Sequence, residues 1–470
     1  MEKKSTVFAV MLGNRDLFPS HMLKDARREL QKVIQEAGYG VLMPPEDLTF
    51  NGAVKNIEEG RKFAAFLEEH RGSYDGVILS LPNFGDENAA AAALRDAEVP
   101  ILIQGYPDEM HLMGPETRRD SYCGKLSVMN VFRQYGIPYT DLSPHVISPS
   151  DPRFKENLRI FDGICRTANS MKRCTLGAIG ARTTAFKTVR FDEIAMQKYG
   201  ITVESLDLSE IFARVRSLNP ASEVYREKKH VLTGYADCSG ASELAQDNLV
   251  RLGVVLDEVI DEYSMDMVAL RCWIEMEKQL NITPCVLLGM LNNRGVTAAC
   301  EMDGSTAAAM YALQRAAGRP SACLDWNNNY GDDEEKCILF HCGPVAADML
   351  SATGPLVNHA MFERVLGHGV SCGCHPGRIT PGAMTFAGAK TEDGMLQFYI
   401  GEGEFTSDTV PEDFFGCAGV ASITGLQDKL HVVGTQGYHH HVGVVHTKVA
   451  KALEEAFKTY LGYPITNWNR

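Results

Sequence analysis

The chain has 470 residues, 45% of them hydrophobic and 23% charged, a globular composition too long for a single core. A net charge of -14 works against a nucleic-acid or anionic-membrane surface, because like charges repel at long range. The first apolar run is too short for a signal segment, and no stretch approaches the roughly 20 apolar residues of a membrane span, so a cytoplasmic location is expected.

Strand and helix signals alternate from the start. Residues 6–12 are a buried-type strand, and Leu23, Ala26, Leu30, Val33, Ile34 and Ala37 mark one face of a helix. Apolar strands at 74–80 and 100–104 flank an alanine-rich helix at 88–97, and the proline-bearing segment 141–153 reads as a linker. The rhythm then restarts. Strands are expected at 174–179, 202–206, 267–271, 296–300, 322–325 and 337–341, with helices at 192–199, 242–263, 284–291 and 305–317. Beyond about residue 345, glycine-rich turns and the alternating runs 382–389 and 395–402, joined by TEDG, predict antiparallel strands. A closing helix is expected from about 442 to 460. The fold class is therefore α/β: two doubly wound parallel-sheet domains, 1–172 and 173–345, followed by an antiparallel β-rich domain, 346–470.

Chemistry concentrates in the second half. Glu301, Asp325 and His341 each follow or end an apolar strand, and the carboxyl ends of strands in open α/β sheets form the ligand crevice. Asp325 leads into DWNNNYGDDEEKC, where Trp326 offers a ring for a sugar's C–H face and Asn327 an amide for hydroxyls. The acids Asp332, Asp333, Glu334 and Glu335 read as an exposed loop. His439, His440 and His441 form the other dense cluster, with His441 placed just before the last helix. Two carboxylates and an imidazole suit Mn²⁺, with Co²⁺ or Mg²⁺ as alternatives, better than a thiolate-preferring ion. The thirteen cysteines lack paired CxxC spacing and are read as small buried hydrophobes. GAIGAR at 177–182 lacks the complete dinucleotide-binding spacing.

The segments ACEMDGSTAAAMYAL, LDWNNNYGDDEEKCILFHCG and GRITPGAMTFA resemble the L-fucose/L-arabinose isomerase family, and the resemblance covers nearly the whole chain. It implies an aldose–ketose isomerase in which Glu301 and Asp325 are both metal ligands and the acid/base pair. His441 matches the C-terminal metal ligand, and His341 a fourth ligand of the arabinose-type branch. The loop GNRDLF resembles a substrate-contacting loop, so Arg15, with His21 beyond it, is expected at the sugar of a neighbouring subunit. A homo-oligomer with sites between subunits follows. Arg182 and His440 are further expected substrate contacts. The chain is shorter than typical fucose isomerases and carries Asp325 where arabinose enzymes carry Glu. It looks most similar to the shorter members, among them sulfoquinovose isomerases, which implies an anionic sugar held by Arg15 and Arg182. L-Fucose and L-arabinose are the alternative substrates; epimerisation, aldol cleavage or non-catalytic sugar binding by two α/β lobes are the competing activities.

Overall fold

The computed structural model describes residues 5–469, which form two compact units. One runs to Asn169 and takes in Glu455–Gly462; the other comprises Ser170–Glu454 and the residues from Tyr463 on.

The first unit is a parallel sheet of β1 (Val7–Gly13), β2 (Gly40–Leu42), β3 (Ala53–Val54), β4 (Gly76–Leu81) and β5 (Ile101–Gly105). The order is β2-β1-β4-β5, with β3 also on β1. Every residue of β4 and β5 is buried, as a sheet covered on both faces requires. The helix Leu23–Glu36 buries Leu23, Ala26, Leu30, Val33 and Ile34, the face read from the sequence. Each of the four larger side chains, Leu23, Leu30, Val33 and Ile34, contributes roughly 1.5–3 kcal/mol of burial.

The second unit holds two sheets. β6 (Cys174–Ile179), β7 (Ile201–Leu206), β8 (Met267–Leu270) and β9 (Thr297–Cys300) form a parallel sheet in the order β7-β6-β8-β9. Next come β10 (Ser321–Tyr330), β11 (Asp333–His341), β12 (Leu350–Thr353), β13 (Val357–Asn358), β14 (Cys372–Cys374) and β15 (Gly377–Ile379). The last are β16 (Gly382–Glu392), β17 (Met395–Phe405), β18 (Cys417–Ser422), β19 (His441–Val445) and β20 (Ile465–Asn467). A nine-stranded sheet runs β12-β15-β18-β11-β10-β19-β16-β17-β20, and β17 also pairs with β18. That extra pairing closes six strands, β18-β11-β10-β19-β16-β17, into an antiparallel ring without free edges. Leu324, Leu339, Met384, Phe386, Tyr399 and Val444 belong to its core. The α/β class with an antiparallel C-terminal part is thus observed.

Three local expectations change. The run 322–325 continues to Tyr330, so DWNNNY is strand rather than loop, paired with β11 through two register shifts. Asp325 accordingly sits inside an antiparallel strand, not at the end of a parallel one beside Glu301. The run from Val442 is also strand: β-branched residues 442, 444 and 445 fill a slot between β10 and β16. The helix begins only at Ala450. Among the described residues no helix is long and apolar enough to cross a membrane.

Close backbone approach fixes β14 against the loop after Ile282. Gly373 has a φ of +136°, and a Cβ there would lie 2.0 Å from the Thr283 carbonyl oxygen. Gly373→Ala is expected to destabilise the chain by more than about 1 kcal/mol, measured by urea unfolding; an unchanged midpoint would contradict this packing.

Candidate active site

Glu301 is presented by a turn that leaves β9. Glu301 and Met302 both have left-handed φ values, +61° and +66°. Two successive non-glycine residues in that region are costly and are retained where the surroundings enforce them, commonly at functional sites. Asp303 ends the turn and caps the helix Gly304–Ala317, its Oδ1 accepting from the Thr306 N–H at 2.9 Å.

The other groups arrive on adjacent strands of the ring. Asp325 on β10 is directly opposite His441 on β19, and His341 ends β11, the other neighbour of β10. His441 Nε2 lies 3.4 Å from Glu301 Oε2 and 3.4 Å from Asp325 Oδ1. Its Nδ1 donates to Asp303 Oδ2 at 2.9 Å. That second bond fixes which nitrogen faces the two carboxylates, as outer hydrogen bonds do for metal-ligating histidines. His439 Nδ1 reaches the same Asp303 oxygen at 3.3 Å. His440 Nε2 is 3.7 Å from Asp325 Oδ1, its side chain partly exposed.

Charge here is unbalanced. Three carboxylates converge on one imidazole, and Glu301 Oε2 and Asp325 Oδ1 are buried without a hydrogen-bond partner. Burial raises Asp325 to about 6, with Glu301 adding to the rise and His441 opposing it. Burial acts the same way on Glu301, but His441 outweighs it and holds that carboxyl below its ordinary value. Burial works against a charge on His441, yet its acidic neighbours raise it well above the usual imidazole range. His341 is pushed down to about 3 by burial, and its Nδ1 accepts from the Cys342 N–H at 2.9 Å, which leaves the proton of the neutral ring on the buried, unpartnered Nε2. Donor atoms of Glu301, His440 and His441 lie within 4.8 Å of one another, as do those of Cys323, His341 and His441, and of Cys272, Cys300 and Glu301.

Beside Glu301 opens a cavity of about 310 Å³ lined by Trp273, Glu277, Thr283, His359 and Phe362, among others. Its wall includes Cys272, Cys285 and Cys342; Cys285 lies 3.4 Å from Cys342, and Cys272 lies 3.3 Å from Cys300. Ten of the thirteen cysteines are buried, and burial raises the Cys272 thiol to about 12, so these groups stay protonated and behave as small apolar liners.

The structure distributes the remaining expected residues unevenly. Arg182 lies in the loop after β6, half-buried, its Nη1 donating to the carbonyls of Thr183 and Thr184. The same loop touches the site: Thr183 Oγ1 donates to the Trp273 carbonyl, and Phe186 packs on Trp273 and His440. Arg182 has no acidic partner among the described residues. Arg15, in the first unit, instead pairs with Glu87 and Asp86 and lies over the Phe84 ring. His21 is exposed in the turn before the helix Leu23–Glu36. Trp326 follows Asp325 on β10 and so faces the other side of the sheet, where Nε1 donates to Tyr399 and the ring packs on Phe386. Asn327 is exposed near the hairpin end, as are Asp332 to Glu335 at its tip. Asp303, Glu277, His359 and Trp273 were not singled out from the sequence. For Asp303 the signal was present, an Asp before GST at a helix start, but it is one that any capped helix shows.

The family model for the fucose/sulfoquinovose isomerase N-terminal domain matches residues 9–172, and that for the L-fucose isomerase C-terminal domain matches residues 339–469. A sulfoquinovose isomerase of Alkalicoccus urumqiensis is 25% identical over 402 residues, covering 83% of this chain and 86% of its own. One from Priestia aryabhattai is 22% identical over 459 residues, covering 96% and 97%. A third, from Clostridium sp. (strain MSTE9), is 25% identical over 395 residues, covering 80% and 83%. A periplasmic solute-binding protein of Actinobacillus succinogenes 130z with bound D-allose matches 67% of this chain and 93% of its own at 10% identity, but the TM-score of 0.17 carries no argument. With both domain models and full-length relatives in agreement, the chain belongs to the fucose/sulfoquinovose isomerase family and is an aldose–ketose isomerase.

Proposed function

We propose that the chain is a divalent-metal-dependent isomerase that interconverts sulfoquinovose and sulfofructose. The metal reading is carried by Glu301 Oε2 and Asp325 Oδ1, buried, unpartnered and both 3.4 Å from His441 Nε2. Two desolvated carboxylate oxygens facing one imidazole, with Asp303 behind it, form an oxygen-rich donor set with an excess of negative charge, which fits Mn²⁺, Co²⁺ or Mg²⁺. Glu301, Asp325 and His441 would hold the ion; His341 has its Nδ1 lone pair taken by the Cys342 N–H and would not be a fourth donor. A cation held there supplies Lewis acidity that draws electron density from a sugar carbonyl.

The chain's own groups account for the protons. Glu301, held in the ionised form, takes the proton from C2 of the open-chain aldose and returns it to C1. Asp325, whose proton affinity is raised by burial, would pass a proton to O1 and accept the one leaving O2. The sugar passes through an enediol, and each carboxyl ends in the state in which it began. The apolar wall of Cys272, Cys285 and Phe362 excludes water that would otherwise exchange with the transferred proton.

The substrate reading rests on the relatives and on Arg182, a guanidinium in the loop that touches the site, with no acidic partner among the described residues. A planar fork of donors suits a sulfonate. L-Fucose is the second reading, favoured by the L-fucose isomerase model over the C-terminal part. Chelator treatment should abolish ketose formation, and Mn²⁺, Co²⁺ or Mg²⁺ should restore it; full turnover by metal-free protein would defeat the metal reading. Catalytic efficiency on sulfoquinovose, glucose 6-phosphate, L-fucose and L-arabinose is then compared for wild type, Arg182→Leu and Arg15→Leu. Arg182→Leu should cost the sulfonated sugar about 1.5–3 kcal/mol more than the neutral ones, the worth of a charge-assisted contact. Arg15→Leu tests a contact supplied by a neighbouring subunit of a homo-oligomer. Efficient turnover of L-fucose with none of sulfoquinovose would replace the first reading by the second.

A further inference from the structure

Glu277 stands out among the buried acids that the reaction scheme leaves unused. It lies on the short helix Glu275–Leu280, whose buried residues are Met276, Glu277 and Leu280. Only 1% of Glu277 is exposed, and neither carboxyl oxygen has a hydrogen-bond partner. Its surroundings in the cavity are Trp273, Phe362, Cys272 and Cys285, a setting that a methionine or leucine would fill as well. A buried polar group left unpaired costs stability, of the order of a lost hydrogen bond or more. Among the described residues no hydrogen-bond partner offsets that cost. The neighbouring Glu275, by contrast, is partly exposed and has Arg271 at 3.8 Å.

The same cavity holds a second polar atom without a partner, Nδ1 of the buried His359. His359 stacks on Phe362 at 4.1 Å, so its ring is fixed. Two unsatisfied polar groups on apolar walls are the complement of a polyhydroxylated chain, whose C–H faces match the rings and whose hydroxyls match the polar atoms. Glu277 and Glu301 both line this cavity. Burial pushes Glu277 up to about 8, so near neutral pH it carries a proton, presents both a donor and an acceptor, and does not repel an anionic sugar.

We propose that Glu277 is a substrate-binding residue, its carboxyl hydrogen-bonding a sugar hydroxyl in the cavity that it lines together with Glu301. The inference rests on the isomerase activity and on this cavity being the sugar site, but not on which sugar is used.

The test compares Glu277→Gln and Glu277→Met in metal-loaded enzyme, on whichever of the four sugars the wild type turns over best. The amide keeps a donor and an acceptor, so KM should stay within about threefold of wild type. The thioether fills the space without a donor, and KM should rise about tenfold or more while kcat changes much less, the signature of lost uniform binding. Bound metal should be unchanged in both variants. The melting temperature of the Met variant should rise, because a desolvated acid has been removed from an apolar wall. An unchanged KM in Glu277→Met, or a fall in its melting temperature, would overturn the assignment, the second by showing a structural role. Those results leave the isomerase reading intact. A wild type inactive on all four sugars with added metal would instead strike at the proposed function.

Discussion

Glu301→Gln lowers turnover by at least about 10²-fold, the usual scale for a lost general base, whereas Asp332→Asn leaves it within about twofold. The contrast follows from position. Glu301 sits in a left-handed turn that aims a buried, unpartnered oxygen at His441 Nε2. Glutamine preserves the volume and the backbone, yet replaces an anionic oxygen by an amide that neither accepts a proton from carbon nor contributes charge to a cation. Asp332 is exposed at the tip of the β10–β11 hairpin, where solvent screens its charge. Turnover is measured at saturating Mn²⁺ with bound metal quantified in parallel. A variant that still binds metal but fails to turn over identifies the base role; one that binds none identifies the ligand role. Equal effects of the two substitutions would mean that the site has been misplaced.

The sequence made the donor types legible but not the way they meet. Glu301 was readable because a short apolar strand ends one residue before it, and β9 is that strand. Asp325 and His441 were readable as chemistry, yet their apposition depends on the pairing of β10 with β19, residues far apart in the chain. Local pattern misleads at both. Asparagines have poor strand propensity, and Asn328 and Asn329 are held extended by their pairing with β11 while Asn327 falls at a register shift. The short apolar run at 442–445 reads equally as the start of a helix, a limit of periodicity in short segments. Arg15 and Arg182 looked alike as cations after a first strand. Only the fold shows that one is neutralised by Glu87 and Asp86 while the other is not.

Asp303 gives the second large effect, through His441 rather than through the sugar. Its side chain is fully buried and every oxygen is committed: Oδ1 to the Thr306 N–H, Oδ2 to Thr306 Oγ1 at 2.8 Å and to the ring nitrogens of His441 and His439. Asparagine in its place can keep the helix cap with its one oxygen. The amide nitrogen must then face two imidazole N–H groups, donor against donor. His441 relieves that clash by moving its proton to Nε2, which turns an N–H toward Glu301 and Asp325, where a lone pair is required. Asp303→Asn should therefore weaken Mn²⁺ binding by about 10–100-fold, the range for a lost outer partner of a ligating histidine, with turnover recovering in part at high Mn²⁺. Asp303→Ala loses the cap as well and leaves buried imidazoles unpaired, so a further stability loss of about 3–5 kcal/mol is expected. Metal titration, thermal unfolding and the histidine nitrogen chemical shifts, which report the tautomer directly, separate the two variants. If Asp303→Asn binds Mn²⁺ as tightly as the wild type with His441 still protonated on Nδ1, Asp303 is a helix cap and nothing more.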